Sequence, residues 1–443
     1  MKTKSIWQKG VHFPEFAAYL GDQSTRVAII GGGLTGLLTA HFLRHMNPVV
    51  LEANRICSGQ TGRTTAKITS QHNLIYADLT ARLGMEAAMQ YARANEAAIG
   101  EYARIIDEGR IDCGFTRCSA LLYSRTESTP LREEAEAARA LGISARFTQE
   151  TELPFPIAGA VEFSGQARFH PLKFLRAIAE GLDIHEHTRV LQVEDGCIHT
   201  DRGTLRAEHI VFACHYPFVN VPGWHFVRMH QERSYVLALE NAWLPENVHL
   251  GVDGDGLSLR AAEGLLLVGG GGHRTGENEE GGKLAALRES ARTLFPGARE
   301  IACWAAQDCV TADGVPCIGL YARSQPRWYV ATGYAKWGMT SAMAAARIIS
   351  GMIMGDTPDD AEVFNPQRPW LAPGNVKPLM NEAGHVLRNL AKTDGAPRCP
   401  HMGCAMTWNP DAESWDCPCH GSRFGHDGAL LDGPAQTNAD INR

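Results

Sequence analysis

Four residues near the C-terminus have the types and the spacing of metal ligands. Cys399 and His401 are followed by Cys417 and His420 in the pattern C-x-H-x15-C-x-x-H. Two thiolates and two imidazoles can hold a [2Fe–2S] cluster, with both Cys ligands on one iron and both His ligands on the other. The same four donors also suit a tetrahedral zinc site. The pattern therefore predicts a metal centre, with an iron–sulfur cluster and zinc as the two alternatives.

The segments around these residues resemble the two cluster-binding loops of Rieske proteins. The loops are CPHMGC at 399–404 and CPCHGS at 417–422. A zinc site has no need of the second cysteine pair, the two prolines or the Gly-Ser, so the cluster is favoured. The resemblance also implies that Ser422 donates a hydrogen bond to a cluster sulfur, while Phe424 stands where high-potential relatives have a second donor, which lowers the expected potential. By resemblance the iron ligands are Cys399, His401, Cys417 and His420, and the disulfide partners are Cys404 and Cys419.

A second motif, at the other end of the chain, predicts a dinucleotide site. A β-branched run at 26–30 is followed by GGGLTG at 31–36 and then by helical apolar spacing at 37–43. Glycines in this pattern allow a tight turn, a close approach to a pyrophosphate and close packing of helix on strand. A second strand, 48–51, ends in a carboxylate that can bind ribose hydroxyls. The predicted site residues are Gly31, Gly33, Leu34, Thr35, Gly36 and Glu52.

Distant segments favour FAD over NAD as the dinucleotide. The loop 61–67 is rich in small and hydroxyl side chains, and a strand at 328–332 leads into a glycine-containing turn and a helix that runs to 353. With the N-terminal motif, these segments resemble the glycine oxidase/D-amino-acid oxidase superfamily over residues 25–355. The resemblance implies an FAD site, whereas NAD binding leaves the distant turn unexplained. The further FAD residues that it implies are Thr61, Gly62, Arg63, Thr64, Lys67, Gly333, Gly338, Met339 and Thr340.

The resemblances divide the chain into three parts. The expected fold is an α/β FAD-binding domain of the Rossmann-like, glutathione-reductase type with an α+β substrate domain, plus a small, shortened, β-rich Rieske domain. Few strands fit between 381 and 398, so we expect the shortened domain to dock on the FAD part. The expected units are an oxidoreductase unit at 1–365, a linker at 366–375 and the Rieske domain at 376–443. Within the oxidoreductase unit, we expect FAD-binding parts at 25–75, 165–215 and 305–355 and substrate parts at 75–165 and 215–305.

Substrate residues follow from the segments that the superfamily places beside the flavin. His72, Tyr76, Arg233, Lys336 and Trp337 lie in or near such segments, and a cation among them can hold a substrate carboxylate. The resemblance implies oxidation of a C–N bond in a small amine or amino acid, with electrons passing from FAD to the cluster and on to an external acceptor. Two alternatives stay open: reversed electron flow from the cluster to the flavin, and a plain flavin oxidase with a structural or redox-sensing cluster.

Composition limits the partners and the compartment. The chain has 443 residues, a formal net charge of −7 and no long block of basic residues, so nothing in it favours binding to nucleic acid. The N-terminus lacks the apolar region of a secretory signal, and no apolar run is long enough to span a bilayer. We therefore expect a cytoplasmic protein whose partners are a small substrate and a one-electron redox partner.

Overall fold

The computed structural model describes residues 4–370, 376–392 and 395–441, and its strands form three sheets. The strands, in chain order, are β1 Gly21–Ile30, β2 Val49–Leu51, β3 Lys67–Ile68, β4 Thr116–Ser124, β5 Ala145–Thr148, β6 Gly159–Arg168, β7 Asp183–His185, β8 Val190–Glu194, β9 Cys197–Thr200, β10 Gly203–Phe212, β11 Met229–Glu240, β12 Val248–Gly251, β13 Ser258–Ala262, β14 Leu265–Arg274, β15 Arg299–Thr311, β16 Cys317–Ala322, β17 Gln325–Thr332, β18 Thr407–Asn409, β19 Ser414–Asp416, β20 Arg423–Phe424 and β21 Leu430–Asp432.

Eight α-helices accompany these strands within the described residues. They are α1 Leu34–Phe42, α2 Ile75–Leu83, α3 Met85–Gly109, α4 Thr129–Ala140, α5 Pro171–Ile178, α6 Lys283–Leu294, α7 Gly338–Met354 and α8 Val376–Ala391. Over the same described ranges, no helix has both the length and the apolar character required to cross a membrane. The cytoplasmic location stays a prediction.

The first sheet has the parallel centre that the dinucleotide motif predicts. Its order is β16-β17-β10-β1-β2-β7, with β9 beside β10 and β8 beside β9. Strands β1, β2, β7, β10 and β17 pair in parallel, and helices α1 and α7 pack on each other against this sheet. Parallel strands are buried on both faces, which matches the fully buried end of β1 at residues 27–30.

The second sheet carries the substrate part and is largely antiparallel. Its order is β15-β11-β14-β13-β12-β4-β6-β3, with β5 paired to β6. Strand β15 covers Arg299–Thr311 and pairs with β11 along most of its length, so the boundary expected at 305 falls inside one strand of this sheet. A leucine-rich core, including Leu237, Leu259 and Leu266, packs this sheet against α6.

The C-terminal part is a four-stranded antiparallel sheet, β18 to β21, around the two cluster loops. The helix α8 occupies most of the stretch in which the sequence left little room for strands. Part of the expected linker, residues 371–375, lies outside the described residues, as do 393–394 and 442–443 at the expected Rieske domain. The β-rich but shortened character of this domain is confirmed.

Candidate functional site

The turn between β1 and α1 brings the first glycine motif to the end of the parallel sheet. Gly36 lies so close to the turn that a Cβ atom there would be 1.9 Å from the Gly31 carbonyl oxygen. Only glycine permits this contact, which sets α1 tightly against β1. At Gly33, in contrast, a Cβ atom would have one protein atom within 4 Å, the Thr61 hydroxyl at 3.2 Å. The side of Gly33 on which a side chain would project is therefore largely open. The turn is shaped to receive a group from outside the chain.

A cavity of about 1060 Å³ extends from this turn between the two large sheets. The size suits a dinucleotide together with a small substrate. Three of the predicted FAD residues do not line the cavity: Gly36 packs on the turn, Gly62 packs under the Cys57 carbonyl, and the Thr340 hydroxyl donates to the Thr69 carbonyl. The predicted FAD residues that do line it are Gly31, Gly33, Leu34, Thr35, Glu52, Thr61, Arg63, Thr64, Lys67, Gly333, Gly338 and Met339.

The Glu52 carboxylate is held in place beside the β1–α1 turn, at the edge of this cavity. One of its oxygens accepts from the Gly32 N–H at 2.8 Å and the other accepts from the Asn54 N–H at 2.8 Å. Each carboxylate oxygen has a further lone pair, so both can accept a ribose hydroxyl. Burial raises the pKa of this carboxyl group above its usual value. The two backbone donors oppose that effect, and they orient the group toward the cavity.

The late glycine-containing turn closes the opposite end. Gly333 follows β17 directly and has a left-handed backbone, φ +79°, and α7 begins at Gly338. The Tyr334 and Thr35 hydroxyls lie 3.0 Å apart, so this turn contacts the start of α1 directly. Segments three hundred residues apart in sequence therefore meet at one cavity, as the superfamily resemblance implies.

Three of the predicted substrate residues line the cavity: His72, Lys336 and Trp337. The rings of His72 and Trp337 stack with their centroids 4.8 Å apart. Burial lowers the pKa of His72 to about 3, so this imidazole is neutral at physiological pH. The Lys336 ammonium lies 2.7 Å from a Glu232 carboxylate oxygen. A hydrogen bond from His230, with help from Lys336, holds the pKa of Glu232 at about 2, so this carboxylate is ionised.

Arg233 and Tyr76 lie elsewhere. Neither lines the cavity, and Tyr76 is fully buried, with its hydroxyl donating to the Ser70 carbonyl at 2.6 Å. Side chains alternate along β11, so Glu232 and Ser234 face the cavity while Arg233 faces away from it. Its guanidinium donates to Gln307 at 3.3 Å, and burial lowers its pKa to about 10. Arg233 therefore does not reach the space in which a substrate carboxylate would lie.

The two cluster loops face each other in the C-terminal part. The sulfur atoms of Cys404 and Cys419 are joined as a disulfide, as the Rieske resemblance implies. These sulfurs also lie within 4.8 Å of the Cys417 sulfur, but their mutual bond removes them as ligands. Cys399 and Cys417 belong to the same cluster of buried side chains, and neither is in a disulfide. Two thiols are thus left free to bind one metal ion.

The two histidines complete the donor set. The rings of His401 and His420 are 4.9 Å apart and nearly perpendicular. Their Nδ1 atoms are buried and have no hydrogen-bond partner among the described residues. A buried polar atom without a partner is costly, and a metal ion in this position would satisfy both. The donors present fit a [2Fe–2S] cluster with mixed ligation.

The disulfide permits a direct test of how the loops are held. It links residues separated by 15 positions, and closing a loop of that size stabilises a fold by about 3 kcal/mol. The double variant Cys404→Ser/Cys419→Ser should lose the cluster absorption at a lower denaturant concentration, by an amount corresponding to that free energy. The free, partly exposed Cys197→Ser serves as the control. Equal denaturation midpoints in the two variants would contradict a stabilising role.

The C-terminal part also contributes to this cavity, which no sequence motif predicts. Residues 432–436, which begin with the last residue of β21, line the cavity together with the predicted FAD residues. Asp432 accepts from the Gln60 side chain at 2.7 Å, and the Arg274 guanidinium pairs with Glu382 of α8 at 2.7 Å. The two units are in contact over several such bonds, and Arg274 belongs to β14, so the shortened Rieske domain docks on the second sheet as well as on the FAD part.

Comparison with known proteins agrees with this geometry. The family model described as FAD dependent oxidoreductase matches residues 26–352, and the model of the Rieske [2Fe-2S] domain matches residues 395–442. The chain belongs to the FAD dependent oxidoreductase family. Its cofactors are FAD and a Rieske [2Fe–2S] cluster, so FAD rather than NAD, and the cluster rather than zinc, are confirmed. The chain is an FAD-dependent enzyme with a fused Rieske domain.

Relatives share either the architecture or the fold. YhfW of Bacillus subtilis (strain 168), named as a Rieske 2Fe-2S iron-sulfur protein, is 33% identical over 98% of this chain and 96% of its own length. Glycine oxidase from Geobacillus kaustophilus superposes with a TM-score of 0.66 over 78% of this chain and 99% of that one, at 18% identity. L-amino acid deaminase from Proteus vulgaris gives 0.65 over 81% and 100%, at 15% identity. The expected α/β fold with its Rieske domain is confirmed.

Proposed function

We propose that this enzyme oxidises a C–N bond of a small amine or amino acid and passes the electrons through the Rieske cluster to an external one-electron acceptor. The observation that carries the proposal is the shared wall: residues 432–436 of the Rieske part line the same cavity as the FAD residues. A one-electron carrier next to a flavin site is well placed to accept electrons from the reduced flavin. The solved relatives named as a glycine oxidase and an L-amino acid deaminase support an amine or amino-acid substrate.

The roles of individual residues follow from their places. The residues at the turn and at Glu52 would bind the pyrophosphate and ribose of FAD, and the other cavity-lining residues of the predicted set would surround its ring. When bound, FAD accepts a hydride from the C–H bond next to an amine nitrogen, and the cluster carries single electrons. We assign the iron to Cys399, His401, Cys417 and His420.

The part of the cavity that we propose for the substrate is lined by both basic and acidic side chains. Lys336 and Glu232 form an ion pair there, and Lys67 donates to the Ser258 hydroxyl at 2.5 Å. Burial lowers the pKa of Lys67 to about 7, so this amine can change protonation near neutral pH. Trp337, stacked on His72, supplies an apolar wall. We propose that Lys336 orients the substrate, that Lys67 lies beside the flavin ring, and that Trp337 and His72 exclude water from the substrate.

Anaerobic mixing with a panel of amines and amino acids tests this function. A true substrate should bleach the flavin absorption first and the cluster absorption next, and turnover should then need an added one-electron acceptor. Bleached flavin beside an unchanged cluster, with hydrogen peroxide formed on admitting air, would show a plain oxidase instead. Reduction of the flavin by a soluble donor through the cluster, with no response to any amine, would show the reversed flow.

A further inference from the structure

A single layer of sheet separates the flavin cavity from the second cluster loop. In β11 the side chains of Glu232, Ser234 and Val236 line the cavity, whereas Gln231 on the opposite face contacts the Rieske part. Its partner strand β15 continues the same layer, with Arg233 opposite Gln307 in the register. Whatever holds the cluster loop on this layer also fixes its distance from the cavity.

Gln231 is the centre of that contact. Its side-chain amide donates to the His420 carbonyl at 2.7 Å and to the Gly433 carbonyl at 3.1 Å. Its oxygen accepts from the Gln307 amide at 2.8 Å, and the residue is 1% exposed. One side chain therefore joins a proposed iron ligand, the cavity-lining segment and the second strand of the layer. The bonds are buried, so the loss of a donor leaves carbonyl groups without a partner.

Gln307 and Gly421 make the contact specific. The Gln307 amide also donates to the Gly421 carbonyl at 2.8 Å. Gly421 has φ +78°, and a Cβ atom there would lie 2.6 Å from the Gln231 Cβ atom. The loop can approach the strand this closely because it has glycine at that point. Gln231, Gln307 and Gly421 thus hold the second cluster loop in direct contact with β11.

The cavity-lining segment also contacts the second cluster loop directly. The Ala435 N–H donates to the Ser422 hydroxyl at 3.0 Å, and the Ser422 carbonyl accepts from the Cys417 N–H at 2.8 Å. Gly433 and Ala435 both line the flavin cavity. A short chain of covalent and hydrogen bonds therefore leads from the cavity wall to a proposed ligand of the iron.

We infer that Gln231 and Gln307 are positioning residues that hold the second cluster loop and segment 433–435 against the flavin cavity, and so set the rate at which electrons cross between the two cofactors. The inference rests on the proposed series arrangement of flavin and cluster. Each oxidation converts an H–C–N–H unit of the substrate to C=N and releases two electrons and two protons; the electrons cross singly to two molecules of a one-electron acceptor, and the protons go to solvent. Neither glutamine touches the substrate in this scheme.

Gln231→Met and Gln307→Met test the inference, since methionine has a similar length and no donor. One electron is injected into the loaded enzyme by flash photoreduction, and its redistribution between flavin and cluster is followed by absorption, without any substrate. Gln231→Met loses two donated bonds into the Rieske part, so we expect this internal rate to fall about tenfold or more. Gln307→Met loses one such bond and should show a smaller fall. The exposed Gln149→Met is the matched control and should be unchanged.

Independent measurements distinguish a change in the position of the cluster loop from a loss of cofactors or of the fold. Flavin content, iron content and the EPR spectrum of the reduced cluster should match the parent in both variants, while limited proteolysis between the units should become faster. An unchanged internal rate in fully loaded Gln231→Met protein would overturn the inference. If that variant does not load, Gln307→Met decides it by the same criterion. Failure to find an amine substrate would count against the proposed function and leave this measurement unaffected.

Discussion

Gly33→Val should abolish retention of FAD while the cluster and the fold persist. The added side chain would meet little protein, because only the Thr61 hydroxyl lies within 4 Å of a Cβ atom at this position. It would instead project into the space that a pyrophosphate requires at the start of α1. We expect FAD affinity to fall by at least about a hundredfold, or about 2.8 kcal/mol. Flavin content after gel filtration, measured beside iron content, gives the result.

Gly100→Val provides the control for this prediction. Gly100 lies on the exposed side of α3, and no atom lies within 4 Å of a Cβ atom there. This variant should keep its flavin. Full flavin occupancy in Gly33→Val would mean that the phosphate site has been placed wrongly. The valine side chain and the pyrophosphate could then be present together, so the pyrophosphate would not lie against Gly33.

Cys417→Ala should remove the cluster and leave the flavin. One iron would lose a thiolate ligand, and an alanine at this buried position offers no replacement donor. Substrate should still bleach the flavin, because that step precedes the cluster. Turnover with the one-electron acceptor should fall by more than the roughly 10–100-fold loss typical of removing an outer partner of a metal ligand. Iron analysis and EPR of the reduced protein measure the first effect, and acceptor assays measure the second.

Cys197→Ala is a suitable control for the loss of a cysteine, since Cys197 is free and lies on β9, in the first sheet. It should keep both cofactors and full turnover. Cys417→Ala protein that retains a mixed-ligand EPR signal would show that another residue binds the iron. Acceptor turnover at the parent rate without a cluster would show that electrons leave the flavin by a different route.

Local motifs in the sequence were sufficient to predict a dinucleotide site and a metal centre, and the family resemblances then favoured FAD and a Rieske cluster for them. The glycine turn before α1 and the loops at 399–404 and 417–422 are short segments in which residue type and spacing dictate the backbone and the donors. Glu52 could be placed because it ends the strand after the turn. These features depend on neighbours in the chain, so no knowledge of the tertiary structure was needed.

Features that depend on contacts between distant segments could not be predicted. Arg233 lies next to a cavity-lining residue, but the face of β11 to which it points is decided by how the sheet packs. Gln231 and Gln307 have no motif, and their role depends on the loop that docks on them. The contribution of 432–436 to the flavin cavity likewise exists only once two units are in contact. Sequence patterns therefore predict the cofactor sites, whereas the packing of distant segments determines the contacts between those sites.

The most direct test of the series arrangement is rapid-freeze EPR during one anaerobic reduction by an amine substrate. The account predicts that the flavin absorption is lost first and that the EPR signal of the reduced Rieske cluster then grows at the rate of internal transfer. At completion, the electrons consumed should equal the two of the flavin and the one of the cluster. A fully reduced flavin beside a cluster that stays oxidised and EPR-silent, although dithionite can reduce it, would contradict the account.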